Sequence, residues 1–198
     1  SSAIIRPVLK TIVPALTAVI NCSLAEGVFP AIYKCAKVLP VYKNKGSKSE
    51  PANYRPISNL PIFGKCQEIA IDIQLREHCE HHKLFGLHQH GFRKSRLTSI
   101  ALLTMITRLR TERKKKFRGV LLYDLSAAYD VLSPKIFLDK ASLIGVRRRS
   151  LAWLASYLSE HSQVVQVNEA LSQPLKLKAG SLKVVHVVAS SLHFSSKM

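Results

Sequence analysis

The chain has 198 residues, 47% of them hydrophobic, enough to bury a sizeable core as one domain or as most of a larger one. Thirty Lys and Arg against twelve Asp and Glu leave a formal net charge of +18, more than solubility requires, which points to a polyanion partner, nucleic acid before membrane. Four cysteines, Cys22, Cys35, Cys66 and Cys79, show no CxxC spacing, which argues against a zinc ribbon or disulfide framework and for reduced thiols in an intracellular protein, nuclear or cytoplasmic.

Residues 4–24 carry mixed helical periodicity, interrupted at Pro7 and Pro14 and closed by Gly27 and Pro30. The apolar stretch 11–20 is too short to span a bilayer, so no membrane partner is expected. No signal peptide is evident, and the absence of an initial Met reads as a fragment. Residues 36–41 read as a strand and 42–53 as a basic loop with Gly and Ser. Residues 54–60 are extended, because Pro56 biases Arg55 away from helix. A helix from Pro61 to about Lys83 follows, with Ile62, Ile69, Ile73 and Leu75 as its apolar positions. Its end carries His78, Cys79, His81 and His82, which could bind metal but have no second ligand pair at finger spacing, so the end of a polar helix is preferred. Residues 84–93 are loop.

A second helix spans about 97–114, with Ile100, Leu103, Met105, Ile106 and Leu109 toward the core. Residues 117–123 form a strand. Pro134 opens a helix ending near Gly145, a further helix spans 150–158 around Trp153, and 161–168 read as a strand through Val164, Val165 and Val167. Strands interleaved with helical pairs give an α+β fold, a sheet backed by helices.

Basic residues recur in four runs: Lys43, Lys45 and Lys48; Arg93, Lys94 and Arg96; Arg113 to Lys116 with Arg118; and Arg147 to Arg149. One run alone is a solvated face; four with so few acids favour nucleic acid. The most informative stretch is Tyr123-Asp124-Leu125-Ser126-Ala127-Ala128-Tyr129-Asp130. A short apolar segment ends on a carboxylate, small residues allow a tight turn, and an aromatic sits five positions on. An acid at a strand end suits Mg²⁺, which takes oxygen ligands and typically one or two carboxylates besides phosphate.

In order along the chain stand AKVLPVYKNKG, NYRPISNL, QHGFRKSRLT, YDLSAAYD and SYLSEHSQVVQVN. Together they resemble the reverse transcriptases of non-LTR (LINE-type) retrotransposons. Each piece is weak alone, and five in order and spacing make a strong signal. The resemblance implies a partial right-hand polymerase fold, fingers plus the first part of the palm, over residues 36–180. Residues 1–35 form a preceding helical segment. It implies RNA-directed DNA synthesis on an RNA template and DNA primer from deoxynucleotides. Two Mg²⁺ ions about 3.5–4 Å apart would stabilise the attacking and leaving oxygens, held by the Asp124 carboxylate and the Leu125 carbonyl. Tyr129 matches the aromatic beneath the incoming sugar, with ordinary core packing as the competing reading. Arg55 resembles the Arg that grips the triphosphate in bidentate fashion, and Lys43 or Lys45 its Lys partner. Gln89, Phe92, Arg93 and Arg96 belong to the QxGFR box near the template, where the two arginines would contact its backbone.

The chain then departs from the family. A Gly-Val-Pro-Gln-Gly-Ser box and an aromatic-x-Asp-Asp box should follow, yet Gly180 is followed by Ser181-Leu182-Lys183-Val184-Val185. No two Asp are adjacent, none follows Asp139, and no thumb follows. A coding run GTC CCT CAA GGT AGT G, read one nucleotide late, gives Ser-Leu-Lys-Val-Val, which implies that 181–198 is an out-of-frame tail; a true alternative C-terminus is the competing view. Two readings stand: a truncated polymerase domain, inactive as it is, or a non-catalytic basic RNA- or DNA-binding relic.

Overall fold

The computed structural model describes residues 2–86, 88–91, 93, 96–111, 119–122 and 133–177. The N-terminal helix α1 runs unbroken over Ser2–Glu26, through both prolines expected to interrupt it. A proline removes one helical hydrogen bond and crowds the preceding turn, but a 25-residue helix keeps the rest of its ladder. Gly27 ends it at φ +71, and the Val28 amide bonds the Ser23 carbonyl at 3.1 Å. A Cβ on Gly27 would stand 2.9 Å from the Arg149 carbonyl, so the glycine permits both the left-handed turn and the close approach of the next layer.

Strand β1 (Cys35–Tyr42) pairs antiparallel with β2 (Tyr54–Asn59) from Lys37↔Asn59 to Tyr42↔Tyr54. Helix α2 (Ile62–His81) follows Pro61, which caps it from outside. Helix α3 covers Thr98–Thr111, helix α4 Pro134–Leu143 and helix α5 Arg148–Leu158. Strand β3 (Ser162–Val167) returns beside β1 in parallel, and the two-residue strands β4 (Ala170–Leu171) and β5 (Leu175–Lys176) pair with its other edge. Helices and a mixed sheet in this arrangement are the expected α+β fold.

The main core joins the end of α1 to α2, α4 and α5. Phe29 sits edge-on to Trp153 and Tyr157, with ring centroids 5.4 and 5.1 Å away, while Trp153 and Tyr157 stack within 4° of parallel. Such rings add specific quadrupole contacts to a large area removed from water. The Trp153 indole N–H donates to Ser23 Oγ at 2.9 Å, and Ser23 passes its own hydrogen to the Val28 carbonyl at 2.6 Å.

Helix α2 leaves Ile62 and Ile69 61% and 59% exposed; its buried face is Gly64, Gln67, Glu68 and Cys79, with Ile71 and Leu75 packed partly against the core. A polar pairing lies on that face, where the buried Tyr157 hydroxyl donates to Glu68 Oε1 at 2.8 Å. Helix α3 buries none of its residues, and Leu103 of the expected core side is 64% exposed. Of the expected strand at 117–123, residues 119–122 are described and belong to no strand, with Leu121 and Leu122 strongly exposed. A strand requires a ladder partner, and β2-β1-β3-β4 offers these residues none among the described ones.

Candidate nucleic-acid interface

The β1–β2 hairpin carries the best-defined basic site. Tyr42 and Tyr54 face each other across the ladder, ring centroids 5.5 Å apart, and their hydroxyls grip the connecting loop: Tyr42 bonds the Gly46 carbonyl and Tyr54 the Lys48 carbonyl. The loop also binds itself, with Asn53 Nδ2 donating to the Ser47 carbonyl at 2.8 Å. Gly46 lies at φ +80, and a Cβ there would meet the Asn53 side-chain amide at 2.5 Å. A side chain there would be strained and would have to displace the Asn53 amide from its bond to Ser47.

The Lys43 amide bonds the Asn53 carbonyl at 2.8 Å, extending the ladder by one pair beyond Tyr42↔Tyr54. Side chains alternate along a strand. Lys43 and Arg55 therefore share the hairpin face opposite the two tyrosines. One Lys43 ammonium hydrogen goes to the Ala52 carbonyl at 2.7 Å, and an ammonium has three. Arg55, Lys45 and Lys48 are exposed, Lys48 standing 5.8 Å over the Tyr42 ring. The fixed loop thus presents cations at little further cost in ordering.

The QxGFR region is built differently. Arg93 makes a two-pronged bridge to Glu80 on α2, Nε to Oε1 at 2.9 Å and Nη2 to Oε2 at 2.8 Å, reaches the Gly86 carbonyl and stacks its guanidinium 4.8 Å over the Phe85 ring. Hydrogen bonds from Arg93, with the charges of Arg93 and Arg96, hold the Glu80 carboxyl below the usual carboxylate range against slight burial. The expected template-contacting Arg93 thus has its fork committed to a clasp that ties the loop to α2. Arg96 is half-buried beside it, and Gln89 is half-buried in the loop. Phe92, Asp124, Leu125 and Tyr129 lie outside the described residues.

The implied Mg²⁺ pair finds no fitting donors among the described residues. No group of three or more His, Cys, Asp or Glu converges there. Asp72 is engaged by Arg76 Nε at 2.8 Å, and Asp139 stands exposed on α4. The histidine cluster at the end of α2 is partly structural: His78 Nε2 bonds the Ile144 carbonyl at 2.8 Å and Cys79 is in the core. Sequence reasoning missed Tyr42, Tyr54 and Glu80. The two tyrosines were discoverable, standing at either end of the basic loop. Glu80 gives no such signal.

The described residues thus combine a mixed sheet backed by helices, a clasped QxGFR loop and an exposed basic hairpin. A reverse transcriptase (RNA-dependent DNA polymerase) family profile matches residues 42–181, more than half of the chain, and the chain belongs to that family. Among curated proteins it is 29% identical to the probable RNA-directed DNA polymerase from transposon X-element of Drosophila melanogaster, over 58% of this chain and 13% of that protein. It is 26% identical to a putative 115 kDa protein of the type-1 retrotransposable element R1DM from the same organism, over 84% of this chain and 16% of that protein. The resemblance to LINE-type reverse transcriptases is borne out, and the chain spans less than a fifth of either relative.

Proposed function

We propose that residues 36–180 are the fingers and first palm segment of a right-hand polymerase fold, and that the chain binds RNA template and DNA primer without extending them. Residues 1–35 are a helical preface and 181–198 an out-of-frame tail. Lys43, Lys45 and Arg55 meet phosphates of a nucleotide or strand. Gln89, Phe92 and Arg96 face the template, and Arg93 acts by positioning their loop. Asp124 and Leu125 are the metal-facing pair and Tyr129 lies beneath the sugar, but one Asp without an adjacent acidic pair does not fit two Mg²⁺ ions, so no catalytic step is assigned. The setting is inside the cell, in nucleus or cytoplasm. One observation carries the reading: the locked hairpin holds Lys43 and Arg55 on one face beside exposed Lys45 and Lys48.

The test is affinity for single-stranded RNA and for RNA–DNA hybrid across a salt titration. Steep loss with salt is expected, because each neutralised phosphate releases counterions. Replacing Lys45 and Arg55 together by Gln should flatten the logarithmic slope on single strands by about 1.4, roughly 0.7 for each phosphate left unneutralised. A flat response, or no binding at low salt, overturns the proposal.

A further inference from the structure

A cavity of about 380 Å³ lies between loop residues 88–91 and α3. Ala101, Met105, Leu109 and Val120 supply an apolar wall, while His88, His90, Thr104 and Arg108 supply polar groups, and none of the lining residues is acidic. Arg108 Nη2 donates to His88 Nε2 at 2.8 Å. A guanidinium cannot accept a hydrogen bond, so His88 carries its ring proton on Nδ1, and this contact uses one of five Arg108 donors. Thr104 gives its hydroxyl hydrogen to the Ile100 carbonyl at 2.8 Å and keeps its oxygen as an acceptor. His90 Nδ1 is buried and has no partner among the described residues. That atom has almost no accessible surface, so His90 lines the cavity through the rest of its residue and not through Nδ1.

We propose that this cavity seats one unpaired nucleotide: its base against the apolar wall, the base edge within reach of His90 and Thr104, and its phosphate at Arg108. The inference rests on the nucleic-acid reading above and adds a subsite to it. The volume is at the small end for ligand sites, right for a single nucleotide and too small for a paired step. A base has two flat apolar faces and an edge of donors and acceptors, which matches a wall of apolar side chains bordered by imidazole and hydroxyl. Proteins commonly take unstacked bases of single strands this way. The lack of acids and the tethered guanidinium suit the phosphate.

The experiment measures binding of the full chain to a short oligouridylate, to an abasic oligomer of the same length and to uridine monophosphate. Ala101→Phe, which sets a ring against the apolar wall where the base would lie, should weaken oligouridylate binding about tenfold, the scale of one base displaced from its platform, and leave the abasic oligomer unchanged. Equal weakening on both oligomers, or none on either, overturns the subsite while leaving the hairpin reading intact. Should Ala101→Phe not fold, Arg108→Gln and photocross-linking with 4-thiouridine decide: cross-links within residues 88–109 that weaken in Arg108→Gln support it, and cross-links elsewhere refute it. Competition by uridine monophosphate assigns the subsite to free nucleotides; binding by the oligomer alone assigns it to a nucleotide within a strand. Failure of the unaltered chain to bind any RNA at low salt overturns the parent proposal, and the subsite with it.

Discussion

At the residue scale, Glu68 links the core to pH. Its carboxyl is buried against Tyr157, and burial raises it from the ordinary 4.5 to about 7, with the Tyr157 hydrogen bond and the Lys65 charge pulling the other way. Between those values the native state holds a proton that the unfolded chain has released. Stability from this group is therefore present at low pH and declines as pH rises from about 4.5 through 7, by at most about 3 kcal/mol. His161 acts oppositely: burial lowers it, against its hydrogen bonds to the Tyr157 and Lys34 carbonyls, so its contribution is lost as pH falls below 6.5. The difference between variants isolates Glu68. Glu68→Gln can still accept from Tyr157 and does not titrate. Relative to it, the wild-type Tm should fall by roughly 5 °C between about pH 5 and about pH 8, followed by circular dichroism; parallel curves would show that Glu68 does not titrate there. The Arg93–Glu80 clasp gives a second expectation. A double-mutant cycle with Arg93→Ala and Glu80→Ala should return a coupling of about 1 kcal/mol, modest because the Glu80 side chain is 44% exposed. A coupling near zero would return Arg93 to the template-contact role that its motif implies.

Among the elements, α1 depends on one seam. Phe29, just past its end, packs edge-on against both Trp153 and Tyr157, and its amide N–H donates to Ser156 Oγ at 3.0 Å. Phe29→Ala should cost about 3–5 kcal/mol as a large-to-small core change. Ser23→Ala should cost about 1–3 kcal/mol by leaving the buried indole N–H unpaired. Both are read by denaturant unfolding, and a Ser23→Ala effect near zero would mean that the indole finds another acceptor. The same region shows what is legible in a chain. The existence and type of α2, α4, α5, β1, β2 and β3 follow from periodicity, Pro61, Pro134 and alternating valines. Faces do not follow so readily. The periodicity of α2 does not say which apolar positions are covered: Ile71 and Leu75 pack against the core while Ile62, Ile69 and Ile73 stand exposed, on a helix whose Glu68 bonds Tyr157, 89 residues on in sequence. Such a bond leaves no periodic trace. Helix α3 failed likewise, because which neighbour covers an apolar stripe is decided by tertiary contacts. The hairpin site was legible because its ladder, loop and cations are contiguous, whereas the Arg93 clasp is not, its partner lying on another element.

For the whole molecule, the net charge of +18 and the ordered motifs favour binding, while the distribution of acids opposes chemistry. Two-metal transfer needs carboxylates converging from separate elements. The chain has four Asp, Asp72, Asp124, Asp130 and Asp139, with none adjacent to another. Among the described residues Asp72 is held by Arg76, Asp139 is exposed on α4, and no group of three or more His, Cys, Asp or Glu converges. A single carboxylate leaves the metals misplaced, and misplacement by about 1 Å already costs on the order of a hundredfold in rate. The 198-residue chain should therefore bind an annealed RNA template and DNA primer and fail to extend it. The assay supplies labelled deoxynucleotides with Mg²⁺ or Mn²⁺ and compares the chain with its Asp124→Asn variant. Equal, background incorporation by both is expected. Extension by the unaltered chain above that control would mean that a second acid, Glu160 or Glu169 beside β3, completes a metal site with Asp124, and Glu160→Gln and Glu169→Gln would then show which.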